Sequence, residues 1–201
     1  MPGQPDFMTK LISFVRRKTS ARYKFNQQFA TGKWEGLKDI SDLARYSIIV
    51  GLTKYFFKTP RILDLGCGEG VLLAKFAPSD YSTYVGVDFS DVAIQNARTL
   101  KNEKAAFTVG NLDSLEVSGT FDVIIYNESL YYLRKPKAAV QALFKNLSPH
   151  GVFIISMVDK HGEERENVWV QLDEILNLLE KTKVSNAAGS WTVRVYKLKT
   201  A

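Results

Sequence analysis

Residues 61–70 read Arg-Ile-Leu-Asp-Leu-Gly-Cys-Gly-Glu-Gly, and this stretch decides the fold. Its apolar part, from Ile62 to Leu65, has the composition of a buried parallel strand. Glycines at alternate positions follow, and glycine permits a tight turn in which the backbone comes close to a ligand. The next residues, Val71 to Phe76, resume a helical pattern. A strand, a glycine turn and a helix in this order predict an α/β fold with a cofactor cradle at a helix N-terminus.

The spacing of these glycines narrows the class of cofactor. A dinucleotide-binding turn has glycine at its first, third and sixth positions, whereas the sixth position here is Val71. A phosphate-binding P-loop needs Gly-Lys followed by Ser or Thr, and no such tripeptide follows this turn. Asp64 precedes the first glycine, and its carboxylate would repel a pyrophosphate but can meet an amino group. The turn therefore favours a ligand with a cationic end and no phosphate. The alternative is an ordinary glycine-rich turn of an α/β protein.

With these residues the chain resembles the class I S-adenosylmethionine-dependent methyltransferases, whose first motif is similar to residues 63–70. The resemblance implies S-adenosylmethionine as the cofactor. It also implies a Rossmann-like α/β fold, in which a mostly parallel seven-stranded sheet has helices on both faces and an antiparallel last strand. The cofactor-binding residues that it assigns to the turn are Asp64, Gly66, Cys67, Gly68 and Gly70. We expect Cys67 to pack as a small residue in this turn, with a nucleophilic thiol as the alternative.

A second strand, Tyr84 to Asp88, ends in an acid that lies 24 residues after Asp64. An acid at the end of the second strand, roughly 20 residues beyond the turn, meets ribose hydroxyls in folds of this kind. Ser90 can cap the helix that follows, because its hydroxyl can accept a hydrogen bond from a free backbone N–H. Asp88 and Phe89 are therefore predicted to bind the cofactor.

Three further strands are predicted at residues 105–109, 121–126 and 151–157. In the methyltransferase family, the residues after the third strand resemble the adenine contact, which assigns Asn111 and Leu112 to the cofactor. Most family members carry Asp where this chain has Asn111, and an amide can still accept and donate hydrogen bonds.

The residues after the fourth strand are the predicted catalytic group. Ligands bind outside the carboxyl ends of the strands in an open α/β sheet, so this is where the acceptor should lie. Asn127 is assigned to the cofactor, and Glu128, Tyr131 and His161 are the candidate catalytic residues. A hydroxyl acceptor needs a general base, which Glu128 or His161 can supply, whereas an amine needs only orientation and a proton acceptor. The alternative is that the tyrosines pack against the following helix.

The first 60 residues are basic, with eleven Lys or Arg against four Asp or Glu, whereas the rest of the chain is close to neutral. We expect residues 1–58 to form a helical lid and residues 59–201 to form the cofactor-binding core, within one structural domain. The first helix of the lid is predicted from the helical spacing of Phe7, Leu11, Phe14 and Val15. The second helix of the lid is predicted to begin at a cap, Asp39 or Ser41, and to end at about Lys58. Arg45 is predicted to reach the methionine carboxylate, and Trp34 to line the acceptor pocket. The alternatives are a solvated basic face, a surface Arg45 and a core Trp34.

The C-terminal third is predicted to contain a helix from about Glu164 to Lys181 and a strand from Trp191 to Leu198. No run of 18 apolar residues occurs, so no membrane span is expected. The single cysteine suits a reducing compartment and therefore favours a cytoplasmic protein. The length of 201 residues fits one domain.

The acceptor class is narrowed by what the sequence lacks. DNA amino-methyltransferases of this fold carry Asp/Asn-Pro-Pro-aromatic after the fourth strand, whereas this chain has Asn127-Glu128-Ser129-Leu130. No His, Cys and carboxylate cluster has metal-ligand spacing, so no metal is expected. We therefore predict an enzyme that methylates a small molecule or saccharide at nitrogen or oxygen, loosely similar to nodulation-type N-methyltransferases, without a nucleic-acid partner. A nucleic-acid methyltransferase and a catalytically silent cofactor-binding protein are the alternatives.

Overall fold

The computed structural model describes residues 21–159 and 162–199, with only the backbone described at 162–164. In this part of the chain, seven strands form one sheet in the order β3-β2-β1-β4-β5-β7-β6. The strands are β1 Arg61–Leu65, β2 Thr83–Asp88, β3 Ala105–Val109, β4 Phe121–Asn127, β5 Leu147–Val158, β6 Leu176–Asn186 and β7 Gly189–Leu198. Strands β1 to β5 pair in parallel, and β7 is antiparallel to both of its neighbours. The predicted Rossmann-like sheet with an antiparallel last strand is confirmed.

The sheet is covered on both faces, as its apolar strands require. The α-helices are α1 Ala21–Ala30, α2 Ile40–Phe56, α3 Asp91–Ala97, α4 Pro136–Ala142 and α5 Gly162–Asp173. Tyr46 and Ile49 of α2 belong to the hydrophobic cluster on one face, and Val140 of α4 and Leu172 of α5 belong to the cluster on the other. No helix in the described part of the chain has the length and hydrophobicity to span a lipid bilayer.

Two helix starts were predicted from capping residues, with different outcomes. The Ser90 hydroxyl accepts a hydrogen bond from the Ala93 amide at 3.2 Å, so the predicted cap of α3 is confirmed. Helix α2 begins after Asp39, but the Asp39 side chain makes no capping hydrogen bond and Ser41 lies within the helix. The predicted helix around Phe7 lies outside the described residues.

The helix predicted from Val71 to Phe76 is wrong, because that segment contains one 3-10 turn, Leu73–Lys75. A six-residue segment between a glycine turn and Pro78 is too short to sustain an α-helix in the absence of other support. Leu72, Leu73 and Phe76 are nevertheless buried in the core. The cofactor cradle therefore consists of a strand and a glycine turn, without a helix N-terminus behind it.

The helix predicted from Glu164 to Lys181 is also wrong beyond Asp173, where α5 ends. The chain then forms the edge strand β6, which pairs with β7 from Leu176 opposite Leu198 to Asn186 opposite Gly189. The apolar spacing that indicated a helix is also compatible with a strand, and the long-range pairing with β7 decides between them.

Candidate active site

A cavity of about 430 Å³ lies at the carboxyl ends of the central strands. This volume falls within the roughly 300–1,000 Å³ of small-molecule sites. Its floor comes from the residues that follow β1, β2 and β4, and residues of the segment 21–46 line it from the other side. Such a position is where open α/β sheets bind their ligands.

The glycine turn after β1 is fastened to β2 through its own amides. The Gly66 and Cys67 amides both donate to the Val87 carbonyl, at 2.7 and 3.1 Å, and the Gly68 amide donates to Asp88 Oδ2 at 2.9 Å. These amides are therefore already bonded within the protein and are not free to hold a phosphate. The buried Cys67 thiol, whose pKa is raised by burial, packs in the turn as predicted.

Steric limits explain two of the turn glycines. Gly66 has a φ of +80°, and a Cβ there would lie 2.3 Å from Ser129 Cβ. Gly70 has a φ of +79°, but a Cβ there would meet Leu100 and Phe107 at 3.0 and 3.2 Å. Gly70 is not among the cavity-lining residues, in contrast to Gly66, Cys67 and Gly68. The structure thus places Gly70, predicted to bind the cofactor, at the packing contact behind the turn.

Asp64 is a buried carboxylate at the cavity and is 1% exposed. Its Oδ2 accepts a hydrogen bond from the Tyr84 hydroxyl at 2.5 Å, whereas Oδ1 has no partner among the described residues. The pKa of Asp64 is raised to about 7, chiefly by burial; the Tyr84 hydrogen bond opposes the shift and the charge of Asp88 adds to it. The site therefore contains a buried carboxyl oxygen that a cationic donor could satisfy.

Asp88, at the end of β2, also lines the cavity and is 9% exposed. Its two oxygens accept hydrogen bonds from the Gly68 amide and the Ser90 amide, at 2.9 and 2.8 Å. Burial raises its pKa, and these backbone amides oppose the shift by stabilising the carboxylate. Phe89 follows it in the cavity lining. The sequence predicted Asp88 as a ligand contact but not its bond to the glycine turn, because that bond joins two separate loops.

Asn111 and Leu112, which the family resemblance assigned to the cofactor, line the cavity after β3. The Asn111 Oδ1 accepts a hydrogen bond from the Asp113 amide at 3.1 Å. Asn111 thereby caps the short 3-10 helix Leu112–Ser114. Leu112 is buried beneath this turn. An amide and an apolar side chain are therefore presented together at this end of the cavity.

Arg45 lies at the opposite side of the cavity and is 1% exposed. Its guanidinium donates to Asn127 Oδ1 and to Asp42 Oδ1, and its Cζ lies 4.6 Å from the Tyr46 ring centroid. Arg45 Nε has no partner among the described residues. The alternative of a surface Arg45 is wrong, and the structure brings Arg45 and Asn127 together. Asp42 was not predicted, although its position three residues before Arg45 is a helical ion-pair spacing.

Glu128 follows β4 with a φ of +57°, in the left-handed region that residues other than glycine seldom adopt. Its Oε1 accepts from the Ser156 hydroxyl at 2.7 Å, and its Oε2 accepts from the Val158 amide at 2.9 Å and the Tyr131 hydroxyl at 3.1 Å. Burial raises the pKa of Glu128, while Arg45 and these donors oppose the shift. The predicted pair Glu128 and Tyr131 is thus brought together at the cavity.

His161, the third candidate catalytic residue, lies outside the described residues. Asp159, which precedes it, accepts hydrogen bonds from Ser190 and Thr192 of β7 and pairs with Lys183 of β6. Asp159 is not among the cavity-lining residues. It ties the end of β5 to the β6–β7 hairpin.

Aromatic side chains form one wall of the cavity. The wall consists of Phe25, Phe29, Trp34, Tyr131 and Tyr132. The Phe25 ring lies 6.4 Å from Trp34 and is nearly parallel to it, and its edge meets Tyr132 at 5.5 Å. The sequence prediction that Trp34 lines the pocket agrees with this placement.

Polar contacts attach the N-terminal segment (residues 21–38) to the loops around the cavity. Arg22 pairs with Asp91, and Lys38 pairs with Glu69 at 2.8 Å. Ser90 donates to Asn26 Oδ1 at 2.7 Å. Helix α1 itself has no fully buried residue. Its attachment therefore depends on these contacts and on the aromatic wall.

The comparisons with known proteins agree on one family. Residues 57–196 match the family model described as a methyltransferase domain. The malonyl-[acyl-carrier protein] O-methyltransferase of Bacillus cereus is 29% identical over 145 residues, which cover 69% of this chain and 52% of that protein. The ubiquinone biosynthesis O-methyltransferase of Neisseria meningitidis is 28% identical over 158 residues, which cover 75% of this chain and 65% of that protein. The chain spans about half to two thirds of the length of these curated relatives.

The fold is shared with a solved N-methyltransferase. NodS of Bradyrhizobium japonicum, in complex with S-adenosyl-L-homocysteine, superposes with a TM-score of 0.72 over 94% of this chain and 98% of that chain. The two sequences are 19% identical, so the likeness concerns the fold.

Proposed function

The chain belongs to the methyltransferase domain family, and from this premise we propose that it transfers a methyl group from S-adenosylmethionine to a small-molecule or saccharide acceptor. The acceptor atom is a nitrogen or an oxygen, and the reaction needs no metal. The relatives support the reaction class, because they are named as a malonyl-[acyl-carrier protein] O-methyltransferase and a ubiquinone biosynthesis O-methyltransferase. The single observation that carries the proposal is one cavity lined by Asp64, the glycine turn, Asp88 and Asn111.

The residues present fit S-adenosylmethionine better than a phosphate-bearing cofactor. The unpartnered Asp64 Oδ1 suits the ammonium of the methionine part, and Asp88 suits the ribose hydroxyls. Asn111 and Leu112 suit the adenine, and Arg45 suits the methionine carboxylate. A pyrophosphate would instead meet two carboxylates and a turn whose amides are already bonded. When bound, the cofactor supplies an electrophilic methyl group on a sulfonium.

The protein's own contribution is orientation and the exclusion of water. Binding an acceptor in line with the methyl group supplies much of the rate, because the reaction becomes effectively unimolecular. Glu128 and Tyr131 lie at the end of β4, where the acceptor would be held. The Glu128 carboxylate has about four lone-pair sites, of which three accept the hydrogen bonds described above. One site remains to orient the acceptor or take its proton.

Residues 1–58 act in this proposal as a lid on the core 59–201. The supporting contacts are the aromatic wall and the ion pairs of Arg22 and Lys38. Deleting residues 1–40 should abolish turnover and weaken cofactor binding, because water would then enter the site. Unchanged turnover after this deletion would refute the role of a lid.

A nucleic-acid methyltransferase is the alternative that the basic extension suggests. Within the described part of the extension, Arg22, Lys38 and Lys54 are paired with acidic residues. Arg45 is buried and Lys33 lies over the Trp34 ring, whereas Lys24 and Lys58 are exposed and have no ion pair among the described residues. A phosphate-binding surface needs exposed and unpaired basic side chains. The contacts therefore favour the lid over a nucleic-acid grip. The family of the chain and the names of its relatives argue against the other alternative, a catalytically silent cofactor-binding protein.

The test incubates the protein with S-adenosylmethionine that carries a deuterated methyl group. Candidate amines, amino sugars and phenols are supplied in one set of reactions, and duplex DNA and RNA in another. Label in a small molecule or sugar supports the proposal. Label in nucleic acid would favour the alternative, as would submicromolar nucleic-acid binding at about 150 mM salt, beyond the usual non-specific range.

A further inference from the structure

We propose that the methyl acceptor is an aromatic compound that carries an amine, and that acceptors bearing a carboxylate are rejected. This inference rests on the proposed function and names the substrate class of the same site. It depends on three features of the cavity: its aromatic wall, the carboxylate of Glu128 beside that wall, and the small number of unpaired polar groups there.

The aromatic wall gives the acceptor part of the cavity flat apolar surfaces. Phe25, Trp34 and Tyr132 contact one another there, and the Tyr131 ring lies 4.6 Å from Tyr132. Aromatic rings prefer such walls because edge-to-face and offset-stacked contacts add to the burial of apolar area. The same rings attract an ammonium group through their negative faces. The wall therefore suits a ligand that has both a ring and an amine.

The charges of the cavity select the sign of the ligand. Glu128, the carboxylate that contacts Tyr131 of the wall, has no ion-pair partner among the described residues, whereas Asp64 and Asp88 are assigned above to the cofactor. The guanidinium of Arg45 is bonded to Asp42 and Asn127. The guanidinium of Arg165 stacks on the Tyr131 ring at 3.3 Å and is not part of the lining. Because Arg45 is assigned to the methionine carboxylate of the cofactor, a carboxylate acceptor would meet the like charge of Glu128 and no free cation among the described lining residues, which disfavours its binding.

Among the described residues, the unpaired polar atoms at the wall include the Trp34 Nε1 donor and one lone-pair site of Glu128, fewer than the hydroxyls of a sugar require. Glu128 holds the Ser156, Val158 and Tyr131 donors, so its remaining capacity is about one hydrogen bond. A saccharide would bring several hydroxyls, and each hydroxyl left unpaired after burial weakens binding. An arylalkylamine such as tryptamine or tyramine brings fewer polar groups: an ammonium, which Glu128 can bind, and one N–H or hydroxyl on its ring system. The wall and Glu128 together match this smaller polar demand.

The chemistry balances with the groups present. The acceptor ammonium first loses a proton, to Glu128 or to water. The nitrogen lone pair then forms the bond to the methyl carbon as the carbon–sulfur bond breaks and leaves its electron pair on sulfur. The product is a methylated ammonium, and the positive charge passes from sulfur to nitrogen. The role of Glu128 is to hold the nitrogen and take its proton.

The test measures binding to the full-length protein saturated with S-adenosylhomocysteine, so that it does not depend on turnover. Matched probes are titrated by calorimetry at one pH and salt concentration: tryptamine against indole-3-acetate, tyramine against 4-hydroxyphenylacetate, and glucosamine as the sugar amine. We expect tryptamine and tyramine to bind at least about tenfold more tightly than the matched carboxylates and than glucosamine. Equal or tighter binding of the carboxylates or of glucosamine would overturn the inference, as would failure of both aromatic amines to bind.

Two variants separate the wall from the fold. Trp34→Leu and Phe25→Leu should each weaken binding of tryptamine by about five- to tenfold, because an aromatic contact is lost. Tyr55→Leu is the matched control, since Tyr55 is 81% exposed and lies outside the cavity lining. Unchanged tryptamine binding in both wall variants would contradict the inference. If S-adenosylhomocysteine itself does not bind the wild-type protein, the proposed function fails as well, whereas loss of the amine arm alone leaves that function standing.

Discussion

At the residue scale, Asp64 has the most unusual chemistry in the site. Its pKa is raised from 3.8 to about 7 by burial, so the folded state binds a proton that the unfolded state has already lost between about pH 4 and 7. The stability that this group contributes is therefore fully present below pH 4 and is lost as the pH rises through about 7. A cationic ligand beside Oδ1 would favour the ionised form and release that proton.

This linkage gives the first prediction. When S-adenosylhomocysteine binds at pH 6, the wild-type protein should release up to about one proton, since Asp64 changes from protonated to ionised. The measurement is calorimetry in buffers of different ionisation enthalpy. Asp64→Asn should abolish the release, whereas Glu103→Gln, at an exposed carboxylate, should not change it. Equal proton release by wild type and Asp64→Asn would contradict the assignment of Asp64 to the ammonium.

The second prediction concerns Asp88, which the sequence identified as a ligand contact. Asp88→Asn should weaken S-adenosylhomocysteine binding about ten- to hundredfold, because hydrogen bonds to a charged group contribute roughly 1.5–3 kcal/mol. The substitution also removes the negative charge that accepts hydrogen bonds from the Gly68 and Ser90 amides, which can lower stability. The denaturant midpoint of the variant is therefore measured together with its affinity. A folded variant with unchanged affinity would refute the ribose contact.

The third prediction tests the geometry of the glycine turn. Gly66→Ala should destabilise the protein by more than about 2 kcal/mol, because it combines overpacking with left-handed strain. The cause is the 2.3 Å approach to Ser129 Cβ at a φ of +80°. Two controls separate these effects in denaturant unfolding. Gly119→Ala, at a φ of +87° with open space, should show the strain alone, and Gly51→Ala, in the open on helix α2, should be neutral or stabilising by up to about 1 kcal/mol. Equal stabilities of the Gly66 and Gly119 variants would contradict the clash.

The placement of single residues at the cavity could be predicted where the signal was local, but not where it came from distant parts of the chain. Asp64, Gly66 and Asp88 follow from their places at the ends of strands, and the structure brings them to one cavity. The role of Gly70 was missed, because its contacts with Leu100 and Phe107 come from distant parts of the chain. Predicted ligand roles for these residues stay predictions until binding is measured.

At the element scale, the central strands could be predicted because each is a short apolar run buried on both faces. Strand β6 could not, because its position at the sheet edge removes the burial signal. Leu178 and Leu179 of this strand are 44% and 39% exposed, so their spacing carries no information about a buried helix face. What fixes β6 is its register with β7, a long-range pairing that a single sequence does not display.

The fourth prediction concerns the attachment of the N-terminal segment. A double variant in which Met replaces both Arg22 and Lys38 loses the ion pairs that join this segment to Asp91 and Glu69. The pairs are largely exposed and contribute little stability, about 0–1 kcal/mol each. Release of S-adenosylhomocysteine should nevertheless become several-fold faster at low salt, because the segment opens more often. High salt should narrow the difference from wild type by screening the wild-type pairs.

The matched control for that experiment is Lys137→Met, which removes an exposed ion pair with Glu174 away from the cavity. Its release rate should equal that of wild type at every salt concentration, as measured by stopped-flow fluorescence. If the double variant behaves like this control, the ion pairs do not hold the segment over the ligand.

At the scale of the whole molecule, the strand order explains why one cavity collects residues from distant parts of the sequence. The parallel strands β1 to β4 end at the same edge, so Asp64, Asp88, Asn111 and Asn127 meet there although 63 residues separate the first from the last. Arg22 and Lys38 attach the N-terminal segment to this edge through ion pairs with Asp91 and Glu69. The molecule is thereby arranged around one ligand site, and we assign S-adenosylmethionine to this site.

The most direct test of this claim is a thermal-shift titration of the full-length protein with S-adenosylhomocysteine, NAD and ATP. A ligand at about 100 times its Kd stabilises the native state by about 2.7 kcal/mol, which corresponds to a rise in Tm of roughly 5–10 °C for a chain of this size. We expect S-adenosylhomocysteine to produce a shift of this order and NAD and ATP to produce little, because the amides of the glycine turn are bonded within the protein. An equal shift with NAD or ATP, or no shift with S-adenosylhomocysteine, would contradict the assignment.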